Sequence, residues 1–284
     1  MKGSKLIPIL LSNLFIIFTF IGDARAIEPS MPGVESIQRY YTYCYNIVTL
    51  ELLNCQYNMA INGIPLSGGH DHNSADRPFG GLRVFGAVGS GQSAITGQTE
   101  NKVVGIEYVV PEVAGIVNLT KKYVPPPGYY CVFPPNCTDT ETLNIMIPGL
   151  VPFPPSGSGV WDLTGSYGSP GVTSMHINNH YGTYSTHWNL TEIALRFSQL
   201  TNGARRLGIN DMSLQSGGIF DIHNNWNPPH ITHRRGTDVD IDRGGVDCKD
   251  DEDLKNAIEN TRGTKSYPRL LCESGGRKHI YLDK

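Results

Sequence analysis

Between Pro228 and Asp242 the chain reads Pro-Pro-His-Ile-Thr-His-Arg-Arg-Gly-Thr-Asp-Val-Asp-Ile-Asp, which sets an imidazole, His233, seven residues ahead of a carboxylate, Asp240. A catalytic zinc ion takes nitrogen and oxygen ligands of this kind, three from the protein, with a fourth position left to water. Asp238, Asp240 and Asp242 alternate with Val239 and Ile241, so on a strand the carboxylates share one face and the aliphatics face the core. Pro228 and Pro229 hold the approach extended, and Gly236 permits the turn that returns His233 over the strand. The same residues also read as a polar loop entering an edge strand, and a metal site needs a third ligand from elsewhere.

The surrounding segment adds a resemblance. Ile209-Asn210-Asp211-Met212-Ser213-Leu214, then Gly217-Gly218-Ile219-Phe220-Asp221, then the PPHxTHRxGTDVDI run are similar to the core of penicillin-insensitive murein endopeptidases, relatives of the lysostaphin, D-Ala-D-Ala peptidase and hedgehog zinc fold. That family carries His-x6-Asp, followed by a late strand whose last histidine completes the zinc site. The resemblance therefore implies Zn²⁺ held by His233, Asp240 and His279, the last in Arg277-Lys278-His279-Ile280-Tyr281-Leu282. It covers roughly the last hundred residues, an ordinary domain length.

One position departs from the pattern. Two residues before the last ligand the endopeptidases have a histidine that serves the catalytic water, and this chain has Arg277. A guanidinium cannot accept a proton at working pH. The glutamate that D-Ala-D-Ala peptidases place three before that ligand is replaced by Gly276. His230, three residues ahead of His233, is the candidate general base, or else a residue that orients a ligand. Arg277 is the candidate partner for a substrate carboxylate or a developing oxyanion.

These residues have to be positioned, and the start of the chain says where. Lys2 and Lys5 precede an apolar run from Leu6 to Gly22 and then Ala24-Arg25-Ala26, which reads as a secretory leader (1–26) cleaved after Ala26. An uncleaved anchor is the rival reading, and Ser12 and Asn13 interrupt the run. After cleavage the expected localisation is secreted or periplasmic, without stable membrane insertion. Six cysteines suit disulfides there, and sequence proximity pairs Cys44 with Cys55, Cys131 with Cys137, and Cys248 with Cys272. The formal net charge of −3, with no basic cluster, argues against nucleic acid.

Two domains are expected. From about Tyr41 to Leu150, short strand-like runs are separated by Gly and Pro; Leu53, Cys55, Tyr57, Met59 and Ile61 alternate with polar neighbours. These runs suggest an N-terminal β-sandwich (27–150), loosely similar to immunoglobulin-like modules around Tyr108–Thr120. Pro148–Gly159 has linker composition. Beyond it, an α+β zinc-peptidase-like domain with a small antiparallel sheet (151–284) is expected. Leu190, Ile193, Ala194, Phe197 and Leu200 repeat at helical spacing, with Asn189 and Glu192 as a capping-box-like start. A shorter helix is expected over Asp251–Asn260, then a hairpin of Arg269–Cys272 and Lys278–Leu282 around Ser274-Gly275-Gly276.

Other polar features read more plainly. His180, in Asn178-Asn179-His180-Tyr181-Gly182-Thr183, is either a cleft residue or a hydrogen-bonded loop histidine; His70 and His72 are expected at the surface. Asn118, Asn136 and Asn189 begin glycosylation sequons. The fold class expected is mostly β plus α+β, and the expected activity is amide hydrolysis on peptidoglycan peptides or another peptide substrate. The competing expectation, raised by Arg277, is a zinc-stabilised module that binds cell-wall peptides or a protein without cleaving.

Overall fold

The computed structural model describes residues 14–16, 26–31, 35–46, 49–64, 77–131, 135–155, 157, 159–165, 176, 178–221, 226, 232–242, 252–261, 269–272 and 278–282. The first half of the chain forms β1 (Leu14–Ile16), β2 (Ile37–Thr42), β3 (Cys44–Asn46), β4 (Leu52–Leu53), β5 (Gln56–Ile64), β6 (Gly81–Val84), β7 (Ala94–Gln98), β8 (Val104–Val109), β9 (Gly115–Val124), β10 (Tyr130–Cys131) and β11 (Thr138–Ile145). The second half forms β12 (Val151–Pro152), β13 (Trp161–Leu163), β14 (Tyr181–Gly182), α1 (Tyr184–Leu200), β15 (Leu207–Ile209), β16 (Asp238–Asp242), α2 (Glu252–Glu259), β17 (Arg269–Cys272) and β18 (Lys278–Tyr281). The protein is mostly β. No helix among the described residues is long and apolar enough to cross a membrane.

In the first half, alternation decides which side chains are inside. Along β9, Val117, Leu119, Lys121 and Tyr123 are buried and their neighbours are not, as the period of two requires. The sheet β11-β9-β5-β7 and the sheet β2-β8-β6 contribute to one core, with Met59, Leu119 and Leu143 from the first and Tyr40, Leu82, Ile106 and Tyr108 from the second. Cys44–Cys55 and Cys131–Cys137 are disulfides, with Cα atoms 6.2 and 5.4 Å apart. Cys248 lies outside the described residues, as do His70 and His72. Of the leader-like stretch, β1 is described, placed between β3 and β10.

The second half centres on a five-stranded sheet in the order β13-β15-β16-β18-β17. Expected as antiparallel, it contains a parallel pair, β13 with β15. The reason is the helix between them: α1 carries the chain back along the sheet, and a crossover of that kind returns a strand in the same direction. Leu190, Ile193, Ala194 and Phe197 of α1 and Leu254, Ala257 and Ile258 of α2 share a core with Val239, Ile241 and Ile280 of the sheet.

Other expectations about this half need correcting. Helix α1 begins at Tyr184, with the Thr183 hydroxyl accepting from Thr186 N–H as the cap, not at Asn189. Asn189 is buried inside the helix and donates to the Leu282 carbonyl at 2.8 Å, so its sequon is not a surface acceptor. Leu200 is 46% exposed and stands outside the apolar stripe. The linker composition before the helix hides a strand: Val151 and Pro152 pair with Gly182 and Tyr181, and Phe153 is buried.

Candidate metal centre

In the β16–β18 ladder, Val239 lies opposite Ile280 and Asp240 opposite His279. Paired residues share a face, so the aliphatic pair points to the helices and the carboxylate–imidazole pair to the other side. The third member arrives by a turn. His233 has φ of 65° and Gly236 φ of 66°, both in the left-handed region. For a residue with a β-carbon that region costs about 1–2 kcal/mol. At Gly236 no alternative fits, because an added β-carbon would sit 2.8 Å from Gly182 Cα.

The ligand atoms of His233, Asp240 and His279 all lie within 4.8 Å of one another. His279 Nδ1 is 2.6 Å from Asp240 Oδ1, and His233 Nε2 is 3.4 Å from the same oxygen. The two imidazole rings meet edge to face at 5.0 Å. All three residues are buried, His233 completely. Burial would raise the Asp240 carboxyl, but His233 and His279 hold it well below the usual carboxylate range. Burial would lower His279, but the Asp238 and Asp240 carboxylates push it up to about 9.

These residues fit a divalent ion. Two imidazole nitrogens and one carboxylate oxygen are a donor set that zinc takes in three-ligand sites. His279 Nε2 is buried with no hydrogen-bond partner among the described residues, its nearest acidic neighbour being Asp238 Oδ1 at 3.7 Å. Asp238 in turn accepts from the Thr237 hydroxyl at 2.9 Å, which fixes its carboxylate beside the site.

The resemblance segment anchors the ligand strand through its backbone. Asn210 N–H donates to the Asp240 carbonyl and Asp240 N–H to the Asp211 carbonyl, both at 2.8 Å. The Asp211 side chain accepts from Asn179. His180 is a hydrogen-bonded loop histidine, its Nε2 2.8 Å from the Thr164 carbonyl, and burial lowers its pKa. His230 and Arg277 lie outside the described residues, and so does the Asp242 side chain.

Sequence reasoning passed over a neighbouring pair. His176 Nε2 is 3.0 Å from Asp221 Oδ1, both residues buried, and Phe220 stands between this pair and the centre, 5.8 Å from the His176 ring and 5.6 Å from the His233 ring. Their separation of 45 residues leaves no local spacing to read. Arg234, beside His233, was also passed over: it is buried and its Nη1 is 2.6 Å from Glu112 Oε2 in the first half of the chain.

No family model matches this sequence, and no curated protein matches it. Among solved structures, the ASH/PapD-like domain 7 of human CEP192 is 15% identical, covering 51% of this chain and 93% of that domain with a TM-score of 0.24. The human F-spondin reeler domain is 10% identical, covering 48% and 97%, with a TM-score of 0.25. Superpositions this loose carry no argument about this chain. What stands is a mostly-β protein with, among the described residues, two disulfides, as an oxidising compartment allows, and a buried two-histidine, one-carboxylate cluster that could hold a metal ion.

Proposed function

We propose that the chain is a zinc-dependent endopeptidase acting on amide bonds of peptidoglycan peptides, exported by a cleaved leader. In this reading an N-terminal β-sandwich is followed by a zinc-peptidase-like domain. The convergence of His233, Asp240 and His279 supports it: three ligands of the right types from a turn and two strands, with atoms within 4.8 Å of one another. Bound there, zinc would supply Lewis acidity, polarising a scissile carbonyl and making water nucleophilic near neutral pH. His230 would take the proton from that water and return it to the departing amine. Arg277 would hold a substrate carboxylate or the charge that develops on the carbonyl oxygen. Asp238 would keep the His279 ring in place.

Incubating the purified protein with cell-wall sacculi, with and without a chelator, tests this. Soluble muropeptide release that stops on chelation and is absent in His233→Ala is expected. No release at any pH from a zinc-loaded protein would overturn it.

A second reading has its own support. Arg277 stands where the resembling endopeptidases have a histidine, and the metal-site residues are buried, as in a site that holds a fold together rather than one that turns over substrate. On that reading the protein binds wall peptides without cleaving them. Arg277→His separates the two: activity that appears only in the variant supports the binding module, and activity already present in the natural chain removes it.

A further inference from the structure

We propose that Lys121 and Asp139 condense to an intramolecular amide that staples β9 to β11 covalently, with Glu141 carrying the proton. Lys121 occupies an inward position of β9, between Leu119 and Tyr123, and its side chain is 0% exposed. Every other inward residue from Val117 to Tyr123 on that strand is apolar or aromatic. A primary amine in such a position is the exception on this face.

The register supplies its reaction partner. Asp139 is the cross-strand partner of Lys121, and Glu141 follows two residues on, along the same inner face of β11. Lys121 Nζ is 3.6 Å from Asp139 Oδ2 and 2.9 Å from Glu141 Oε2. The Tyr40 ring from the opposite sheet closes the remaining side, 5.0 Å from Nζ. Holding the amine and the carboxyl side by side removes the entropy cost of bringing them together, which is what lets such a condensation proceed within a fold. The side chains of Asp139 and Glu141 are 26% and 17% exposed, which gives water a way out while the amine stays dry.

The step balances without a further reagent. One ammonium proton passes to the Asp139 carboxylate, leaving a neutral amine beside a neutral acid. The nitrogen lone pair attacks the Asp139 carboxyl carbon, forming the C–N bond. Glu141 takes a second proton from that nitrogen and delivers it to the departing hydroxyl, and the C–O bond breaks. One positive and one negative side chain become a neutral amide and one water, and Glu141 is regenerated. The product removes the fully buried ammonium, and with it the desolvation cost of that charge.

Intact-mass spectrometry of the reduced full chain, set against the mass calculated for the N-terminus present, tests the proposal. A deficit of one water is expected. Peptide mapping should find a branched species joining the segments around Lys121 and Asp139. Lys121→Met and Asp139→Ala should each restore the sequence mass, and Asp139→Ala serves if the lysine variant does not fold. Glu141→Gln, which keeps both reacting groups, should leave most of the chain unlinked. The full sequence mass after prolonged incubation of folded protein would overturn the linkage, as would a water deficit mapped to a cyclised aspartate elsewhere. Complete linkage in Glu141→Gln would remove the role given to Glu141. None of these readouts depends on a metal.

Discussion

Asp240 and His279 face each other across the ladder of β16 and β18, with His279 Nδ1 2.6 Å from Asp240 Oδ1. Two members of the cluster are therefore set by a single backbone register. A slip of one residue in either strand would turn that strand's member to the helix-packed face and part the pair. Only His233 depends on a turn, and that turn is held by Gly236 and by the packing of Phe220 on its ring.

One divalent ion per chain is expected. Zinc at about a hundred times its Kd should stabilise the fold by about 2.7 kcal/mol. Calorimetric titration and thermal melting check this together, and Asp240→Ala and His279→Ala should lose both the stoichiometry and the stabilisation. A zinc response retained in both variants would contradict the assignment.

Breaking the Arg234–Glu112 pair should be costly, because Arg234 is 1% exposed and would be left charged and buried. Glu112→Ala should destabilise by about 3 kcal/mol in urea denaturation. Since Arg234 adjoins His233, the variant should also bind zinc more weakly. Adding Arg234→Met to Glu112→Ala should recover part of the loss, because the stranded charge is then gone.

His187 predicts an acid-sensitive window. Its ring sits edge-on to Phe153 at 4.9 Å, and burial pushes its pKa down to about 4 from 6.5. The folded state keeps it neutral while the unfolded chain takes up a proton below pH 6.5, so this contribution is complete above 6.5 and is lost as pH falls toward 4. Denaturation midpoints measured across that range should fall with acidity in the natural chain. His187→Phe should flatten the slope in part, with His180, lowered by burial, contributing in the same direction.

Phe220 separates the His176–Asp221 pair from His233 and is completely buried. Phe220→Ala should cost about 3–5 kcal/mol. Loss of the wall that orients His233 should lower zinc affinity as well, whereas Phe220→Leu should spare much of both. Unchanged zinc affinity in a folded Phe220→Ala protein would show that the ring has no part in positioning the ligand.

Much of the cluster was legible in the sequence, and the reason is local. Asp240 and Val239 advertise a strand by alternation, and His233 sits within one turn of it. The second helix and the last hairpin were legible for the same reason, being patterned over a few neighbouring residues. What escaped depends on partners far away. The start of α1 was obscured because Tyr184 and Trp188 are 75% and 73% exposed, so its first turn lacks an apolar stripe to extend the pattern. Val151 and Pro152 look like linker and pair only because Tyr181 and Gly182 come beside them. Lys121 breaks the rule that inward residues are apolar, and the acids that accommodate it lie on another strand.

The two halves of the chain are also laced together through main-chain atoms. Ile219 N–H donates to the Glu112 carbonyl and Ile147 N–H to the Ser216 carbonyl, at 2.8 and 2.9 Å, and Val113 bridges to Gly218. The turn bearing His233 thus rests on a seam sewn by both halves. A gene fragment beginning at Val151 would deliver a domain missing its own foundation, and shuffling either half onto a foreign companion would orphan those amides. Inheritance should therefore favour keeping the two halves in one transcript.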